Sequence, residues 1–165
     1  MTIDIRRAGE ADIDLLLPLF LEMQRHYVGA AAIGSESARP RLLAALRPIE
    51  GRAILLASEA NDALGFTCLY EMFPGADLDP AWFLKELYVT AAARGRKVGE
   101  ALTREAARLA MRNGASRLDL TTGSGEDNEP VRRFYGRLGM DLVDKVYFRA
   151  EGAALEALAQ EEDQA

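Results

Sequence analysis

Along the chain the spacing of apolar positions switches between two and three-to-four residues, the mark of strands alternating with helices. Residues 3–7 alternate apolar and polar side chains as a short strand does, and residues 10–27 place Ile13, Leu16, Leu17, Phe20, Leu21 and Met23 at helical spacing. A loop rich in Ala, Gly and Ser over 29–38 leads to a short helix carrying Leu42, Leu43 and Leu46 and ending near Pro48. Two apolar runs, 53–58 and 64–72, flank Asn61-Asp62 as the arms of a hairpin, and 82–90 is a further β-rich run after a turn at 74–80. Residues 95–113 predict an amphipathic helix with Val98, Leu102, Ala106 and Leu109 on one side, followed by a strand over 117–122. Val131, Phe134, Tyr135 and Leu138 then predict a helix closed by Gly139, and residues 141–150 predict two last strands.

Hairpin and crossover connections are thus mixed in one sheet, so the class is α+β (mixed α/β), with about six or seven strands and about four helices. With 165 residues, 49% hydrophobic and 28% charged, the chain suits one domain, taken as 1–150, followed by a helical tail over 151–165 that frays at 161–165. No apolar run approaches the roughly 18–20 residues of a membrane-spanning helix, and the N-terminus lacks a basic start followed by an apolar block. Cys68 and His26 are the single cysteine and histidine, so neither an internal disulfide nor a Cys/His zinc site can be assembled. The expectation is a cytoplasmic, metal-free protein. A formal charge of −6 repels phosphate backbones at long range and argues against nucleic acid as a partner.

A local cluster of opposite sign nevertheless stands out. Val89 ends a strand, and Arg94-Gly95-Arg96-Lys97-Val98-Gly99 then opens the long helix, where unpaired backbone N–H groups converge. The helix dipole adds about half a positive charge there, glycine permits close backbone approach, and three cationic side chains surround the turn. A pyrophosphate fits such a turn, although a basic, glycine-containing first turn also occurs as a plain solvated helix start.

Through Leu87-Tyr88-Val89, then residues 94–99, then Asn128 and the run Arg133-Phe134-Tyr135-Gly136-Arg137-Leu138-Gly139-Met140, the sequence resembles the GNAT superfamily of N-acetyltransferases. The resemblance covers most of the chain. Its signature for the turn is Gln or Arg, two variable residues, Gly, one variable residue, then Gly or Ala; Arg94 and Gly99 match, and Lys97 stands at the middle glycine. If that position requires positive φ, lysine costs about 1 kcal/mol; if it is already helical, lysine only adds charge. The helical alternative is favoured here.

The resemblance implies an acetyl-CoA-dependent transfer to a primary amine, with the turn 94–99 on the diphosphate and the main chain of Leu87 and Val89 along the pantetheine arm. It implies that Tyr135 protonates the departing thiolate, for which a phenol is chemically matched, although on the apolar stripe of its helix it reads equally as a core tyrosine. Asn128 reads as a helix cap before Glu129-Pro130, and the resemblance adds a contact to the cofactor. An acceptor ammonium must lose a proton before it attacks, and Glu86, on the strand of Leu87 and Val89 but facing the other way, is the candidate base; as a bland alternative it is a charge on a solvated face.

The acceptor is less defined. Glu22, Glu36, Glu71, Asp77 and Asp79 fall in or near segments flanking the substrate side in similar proteins, and acidic walls suit polyamines, aminoglycosides or basic peptide ends. There is some similarity to the spermidine/spermine acetyltransferase branch, and family members often form homodimers. The Gly123-Ser124-Gly125 stretch does not make a methyltransferase or dinucleotide loop: barely forty residues remain after it, and Asn128 stands where the last glycine of the dinucleotide pattern belongs. The alternative of another class is a non-catalytic acyl-CoA-binding sensor, which would keep the turn and dispense with Tyr135.

Overall fold

Strand β2 (Arg52–Glu59) is buried on both faces over Ala53 to Ser58, so its near-continuous apolar run lies between two layers of helix. The computed structural model describes residues 3–160. They fall into two compact units, one ending at Gly123 and the other starting at Ser124. In the first unit one mixed sheet has the order β1-β2-β3-β4-β5, with β1 (Asp4–Arg7), β3 (Asp62–Met72), β4 (Ala81–Val89) and β5 (Leu118–Leu120). Neighbours are antiparallel up to β4, and β5 runs parallel to β4.

Helices α1 (Ile13–Val28) and α2 (Ser35–Leu46) cover one face, where Leu16, Leu42 and Leu46 pack with Ile54, Leu56, Phe66 and Tyr88. Phe20 stacks on Phe66 with ring centroids 4.0 Å apart. Helix α3 (Val98–Arg112), the crossover between β4 and β5, covers the other face with Val98, Leu102, Ala106 and Leu109 against Leu55, Leu69, Trp82 and Leu84. Each burial removes a large side chain from water, about 2 kcal/mol apiece.

In the second unit α4 (Glu129–Arg137) ends in a Schellman motif: the Gly139 N–H bonds the Gly136 carbonyl at 3.0 Å and the Met140 N–H bonds the Tyr135 carbonyl at 3.2 Å. Gly139 has φ +86°, which only glycine adopts without strain. Helix α5 (Ala153–Gln160) follows, so the helical character expected after residue 151 is present, while the expected fraying at 161–165 lies outside the described residues.

The α/β class holds, with corrections in detail. Five strands and five α-helices occur among the described residues, not six or seven and four. The two strands expected over 141–150 are absent; that segment has apolar content but no ladder partner among the described residues, and a strand is not stable without one. Helix α2 starts at Ser35, inside the expected loop, and α3 starts at Val98, three residues later than its periodicity suggested.

The entry into α1 is held electrostatically. Asp12 accepts the Gly9 N–H at 2.9 Å and both guanidinium nitrogens of Arg6, one of them at 2.8 Å. The Arg6 hydrogen bond holds this buried carboxyl below its ordinary value of 3.8, against the opposing effect of burial. A depressed carboxyl contributes stability that is complete above its ordinary value and is lost as pH falls through the lowered one. Asp12→Ala is expected to cost about 2 kcal/mol in urea unfolding at neutral pH, and to flatten the loss of stability on the acid side.

Candidate active site

Strand β4 carries a bulge that decides which side chains face which helices. Cys68 pairs with Glu86 and the next residue, Leu69, with Leu84, so Lys85 is the extra residue. Before the bulge Trp82 and Leu84 face α3; after it Leu87 and Val89 take that face, and Tyr88 joins the α1 side. Glu86 therefore points toward α1, opposite Leu87 and Val89, where the Tyr27 phenol donates to its Oε1 at 2.8 Å. Its main-chain carbonyl accepts the hydroxyl of the buried Thr67 at 2.8 Å.

Two residues on, Tyr88 is buried with the Glu22 carboxylate of α1 close to its phenol. Burial, then this negative neighbour, pushes the phenol up to about 12. Burial, assisted by Glu86, likewise pushes the Cys68 thiol up to about 12, so this thiol stays protonated and is a poor nucleophile at neutral pH.

The parallel pairing of β4 with β5 covers only Trp82 to Leu84, whereas β4 continues to Val89. Residues 85–89 thus keep β3 on one side and have no strand of the described residues on the other. This is a splayed pair, with main-chain groups available along the open edge.

The turn 94–99 follows at once, after a short 3-10 turn at Ala91–Ala93. Gly95 has φ +77°, and a Cβ there would meet nothing within 4 Å, so the turn is open as well as left-handed. Lys97 immediately precedes α3 with φ 64° and ψ 14°, and no side chain caps the first turn. The first N–H groups of a helix have no partner within it, so they remain for a ligand or water. The helical alternative for Lys97 is thereby corrected: a lysine occupies a left-handed position that the glycine of the motif fits without strain. Val98 is buried in the core and anchors the helix start. Arg94 donates from Nε to the Val89 carbonyl at 3.3 Å, tying the turn back to the strand end. Arg96 is engaged by Glu59 at 2.6 Å, so part of its charge is neutralised within the fold.

In the second unit Tyr135 is buried on α4, edge-on to Phe134 at 4.9 Å. Asn128 stands at the cap position of α4 but makes no side-chain cap hydrogen bond, and Pro130 lies in the first turn. The capping role expected for Asn128 is not what its side chain does.

These features set a splayed strand edge directly before an uncapped, basic helix start, an arrangement of free main-chain donors and positive charge. The model of the acetyltransferase (GNAT) family matches residues 20–140. The chain belongs to that family. Its members use acetyl-CoA as acyl donor, and the chain is an N-acetyltransferase. It is 31% identical over 138 residues, 84% of this chain and 89% of the other, to an uncharacterized N-acetyltransferase, YhfO, of Bacillus subtilis. Among solved structures, an integron cassette protein from the mobile metagenome of V. cholerae is 30% identical, with 98% and 99% of the two chains covered and a TM-score of 0.89. A probable acetyltransferase is also 30% identical, with 90% and 98% covered and a TM-score of 0.78.

Within this acetyltransferase the first unit brings Glu86, Leu87 and Val89 onto one strand that runs straight into Arg94, Gly95, Arg96, Lys97, Val98 and Gly99. Of the acidic residues singled out, Glu22 reaches β4 through Tyr88. Glu36, Glu71, Asp77 and Asp79 are exposed on α2, on β3 and around the short turn at Ala76–Leu78. Tyr27 and Tyr88 were not singled out by sequence reasoning. Tyr27 is the residue before the last of α1 and, four residues after Met23 and seven after Phe20, its spacing reads as part of the apolar stripe and not as a partner of β4; the bulge that turns Glu86 toward it leaves no trace in the sequence. No helix among the described residues is long and apolar enough to cross a membrane.

The left-handed lysine is directly testable. Lys97→Gly is expected to raise unfolding stability by about 0.5–1 kcal/mol in urea titration, because glycine adopts this backbone without the Cβ penalty. An unchanged or lowered midpoint would show that Lys97 is not strained.

Proposed function

We propose that this enzyme transfers the acetyl group of acetyl-CoA to a primary amine by direct attack in a ternary complex. The observation that carries this reading is the continuity of the open edge of residues 85–89 with the uncapped start of α3. Main-chain groups of Leu87 and Val89 would hold the pantetheine arm, and the amides from Gly95 to Gly99 the diphosphate, with the helix dipole and Arg94 and Lys97 adding positive charge. Asn128, whose amide is not used as a cap, supports a further cofactor contact.

Chemically, the acceptor ammonium first gives a proton to the Glu86 carboxylate. The amine lone pair then attacks the thioester carbon, the C–N bond forms, and the C–S bond breaks as the tetrahedral centre collapses. The departing thiolate takes its proton from the Tyr135 phenol, a group chemically matched to a thiol-like leaving group, and the second proton that the acceptor nitrogen loses on forming the amide returns through water to the Tyr135 phenolate. Holding both reactants together supplies much of the acceleration, so each proton-transfer group is worth a limited factor.

The carboxylates Glu22 and Glu86, both directed between α1 and β4, favour a cationic acceptor such as a polyamine, an aminoglycoside or a basic peptide. A homodimer is also part of the proposal. Leu142, Val143, Val146, Tyr147 and Phe148 are 62–89% exposed within seven residues, more apolar surface in one place than single scattered exposures leave.

Incubation with acetyl-CoA and a panel of spermidine, an aminoglycoside and a lysine-rich peptide is expected to release free thiol and a product heavier by one acetyl group. Tyr135→Phe and Glu86→Gln should each lower kcat by about 10²-fold or more. Tight CoA binding with no thiol release on any amine would overturn the reaction, and full turnover by Tyr135→Phe would remove its role as acid.

A further inference from the structure

We propose that Tyr27 is a positioning residue for Glu86: its phenol pins one carboxylate oxygen so that the other is presented to the ammonium of the acceptor. The inference rests on Glu86 being the base. It adds a residue from a different element that neither the phosphate-binding turn nor the run around Tyr135 contains.

Several independent constraints converge on Glu86. The bulge at Lys85 reverses the alternation of β4 and directs Glu86 to the α1 face. Thr67, fully buried on β3, fixes the Glu86 carbonyl through its hydroxyl at 2.8 Å. The Tyr27 hydroxyl then holds Oε1 at 2.8 Å. Backbone and carboxylate are each tied to a different neighbouring element, which is what a base aimed at one atom requires.

Burial does not explain Tyr27. Its residue is 58% exposed in the last turn of α1, so the hydrophobic gain from this aromatic ring is small, and its hydroxyl reaches across to β4. The chemistry of the partner is also specific. An arginine or lysine in the same place would neutralise the carboxylate and compete with a cationic substrate for it, whereas a neutral phenol orients the group and leaves its charge in place. Nearby, the Cys68 thiol faces Glu86 from β3, and Glu22 and Arg25 of α1 act on Tyr88 two residues further along β4. No ion pair between Glu86 and a cationic side chain occurs among the described residues.

Packing seats α1 on the strand independently of this contact: Leu16, Leu17, Leu19 and Met23 of α1 share one core with Phe66 of β3 and Tyr88 of β4, and Phe20 stacks on Phe66 at 4.0 Å. Tyr27, in the last turn of the same helix, is thus carried to Glu86 by packing that does not itself involve the base.

The test is a double-mutant cycle on the full chain, with acetyl-CoA as donor and the panel amine of highest turnover as acceptor. Tyr27→Phe keeps the ring and removes only the hydroxyl. It is expected to lower kcat by about 3- to 10-fold, the size of one ordinary, solvent-exposed hydrogen bond, with the KM for acetyl-CoA unchanged. In the Glu86→Gln background the same substitution should have no further effect on kcat, because its route of action has been removed. Full kcat in Tyr27→Phe, or an equal loss in both backgrounds, overturns the positioning role while leaving Glu86 as base. Full turnover by Glu86→Gln alone removes the base and this inference with it, as does the absence of turnover on every amine.

Discussion

Beyond Leu84, strand β4 pairs with β3 on one edge and with no strand of the described residues on the other, yet its backbone still carries the hydrogen-bonding groups of a strand. On that open edge the main-chain groups of residues 85–89 must therefore find partners other than a strand. The same stretch contains the bulge, ends in the left-handed turn and leads into a helix without a side-chain cap. The Glu86 and Val89 carbonyls accept Thr67 and Arg94, and the open edge and helix start leave further backbone groups over the short path from Lys85 to Gly99. A linear acyl-CoA, with an amide-bearing arm and a diphosphate, has the complementary groups in the complementary order. The rest of the first unit holds that path rigid. The β2 core, α1 and α2 on one face and α3 on the other make the strand an unmoving rail.

Electrostatics along this path are local. The whole chain is acidic, with a formal charge of −6, but Arg94 and Lys97 sit beside the helix start, and the dipole there favours an anion. Arg96 is partly spent on Glu59, which fastens the turn to the end of β2 instead of adding to its positive field. On the opposite face of β4 the balance reverses: Glu86, held by Tyr27, and Glu22, close to Tyr88, lie between strand and helix. One strand thus separates a basic helix start from an acidic face, the polarity that the proposed reaction between a phosphorylated donor and a protonated amine would use.

Much of the sheet was legible because its elements obey simple periods. The unbroken apolar run of β2 marks a strand covered on both faces, and Asn61-Asp62 falls at its turn into β3. The stripe Val98, Leu102, Ala106, Leu109 gives α3 and its buried face directly. The turn was legible through the order of its motif with the run around Tyr135, since a basic, glycine-containing helix start alone also occurs as a plain solvated one. What was not legible lies where backbone geometry departs from the period. Lys97 looks like an ordinary first-turn residue, and nothing in its neighbours signals φ 64°. The bulge at Lys85 inserts one residue without any glycine or proline to mark it, so the tyrosine contacts that follow from it were invisible. Residues 141–150 have the composition of strands but lack a ladder, because pairing depends on a partner that composition does not encode.

The most direct measurement of the central claim is a titration of the isotope-labelled protein with coenzyme A, following each backbone amide by NMR. Grip on the diphosphate by main-chain groups requires saturable shifts concentrated at residues 95–99, with smaller ones along 87–89, and inorganic pyrophosphate alone should reproduce the first set without the second. Saturation elsewhere on the chain with these amides unmoved, or no response at millimolar ligand, would contradict it.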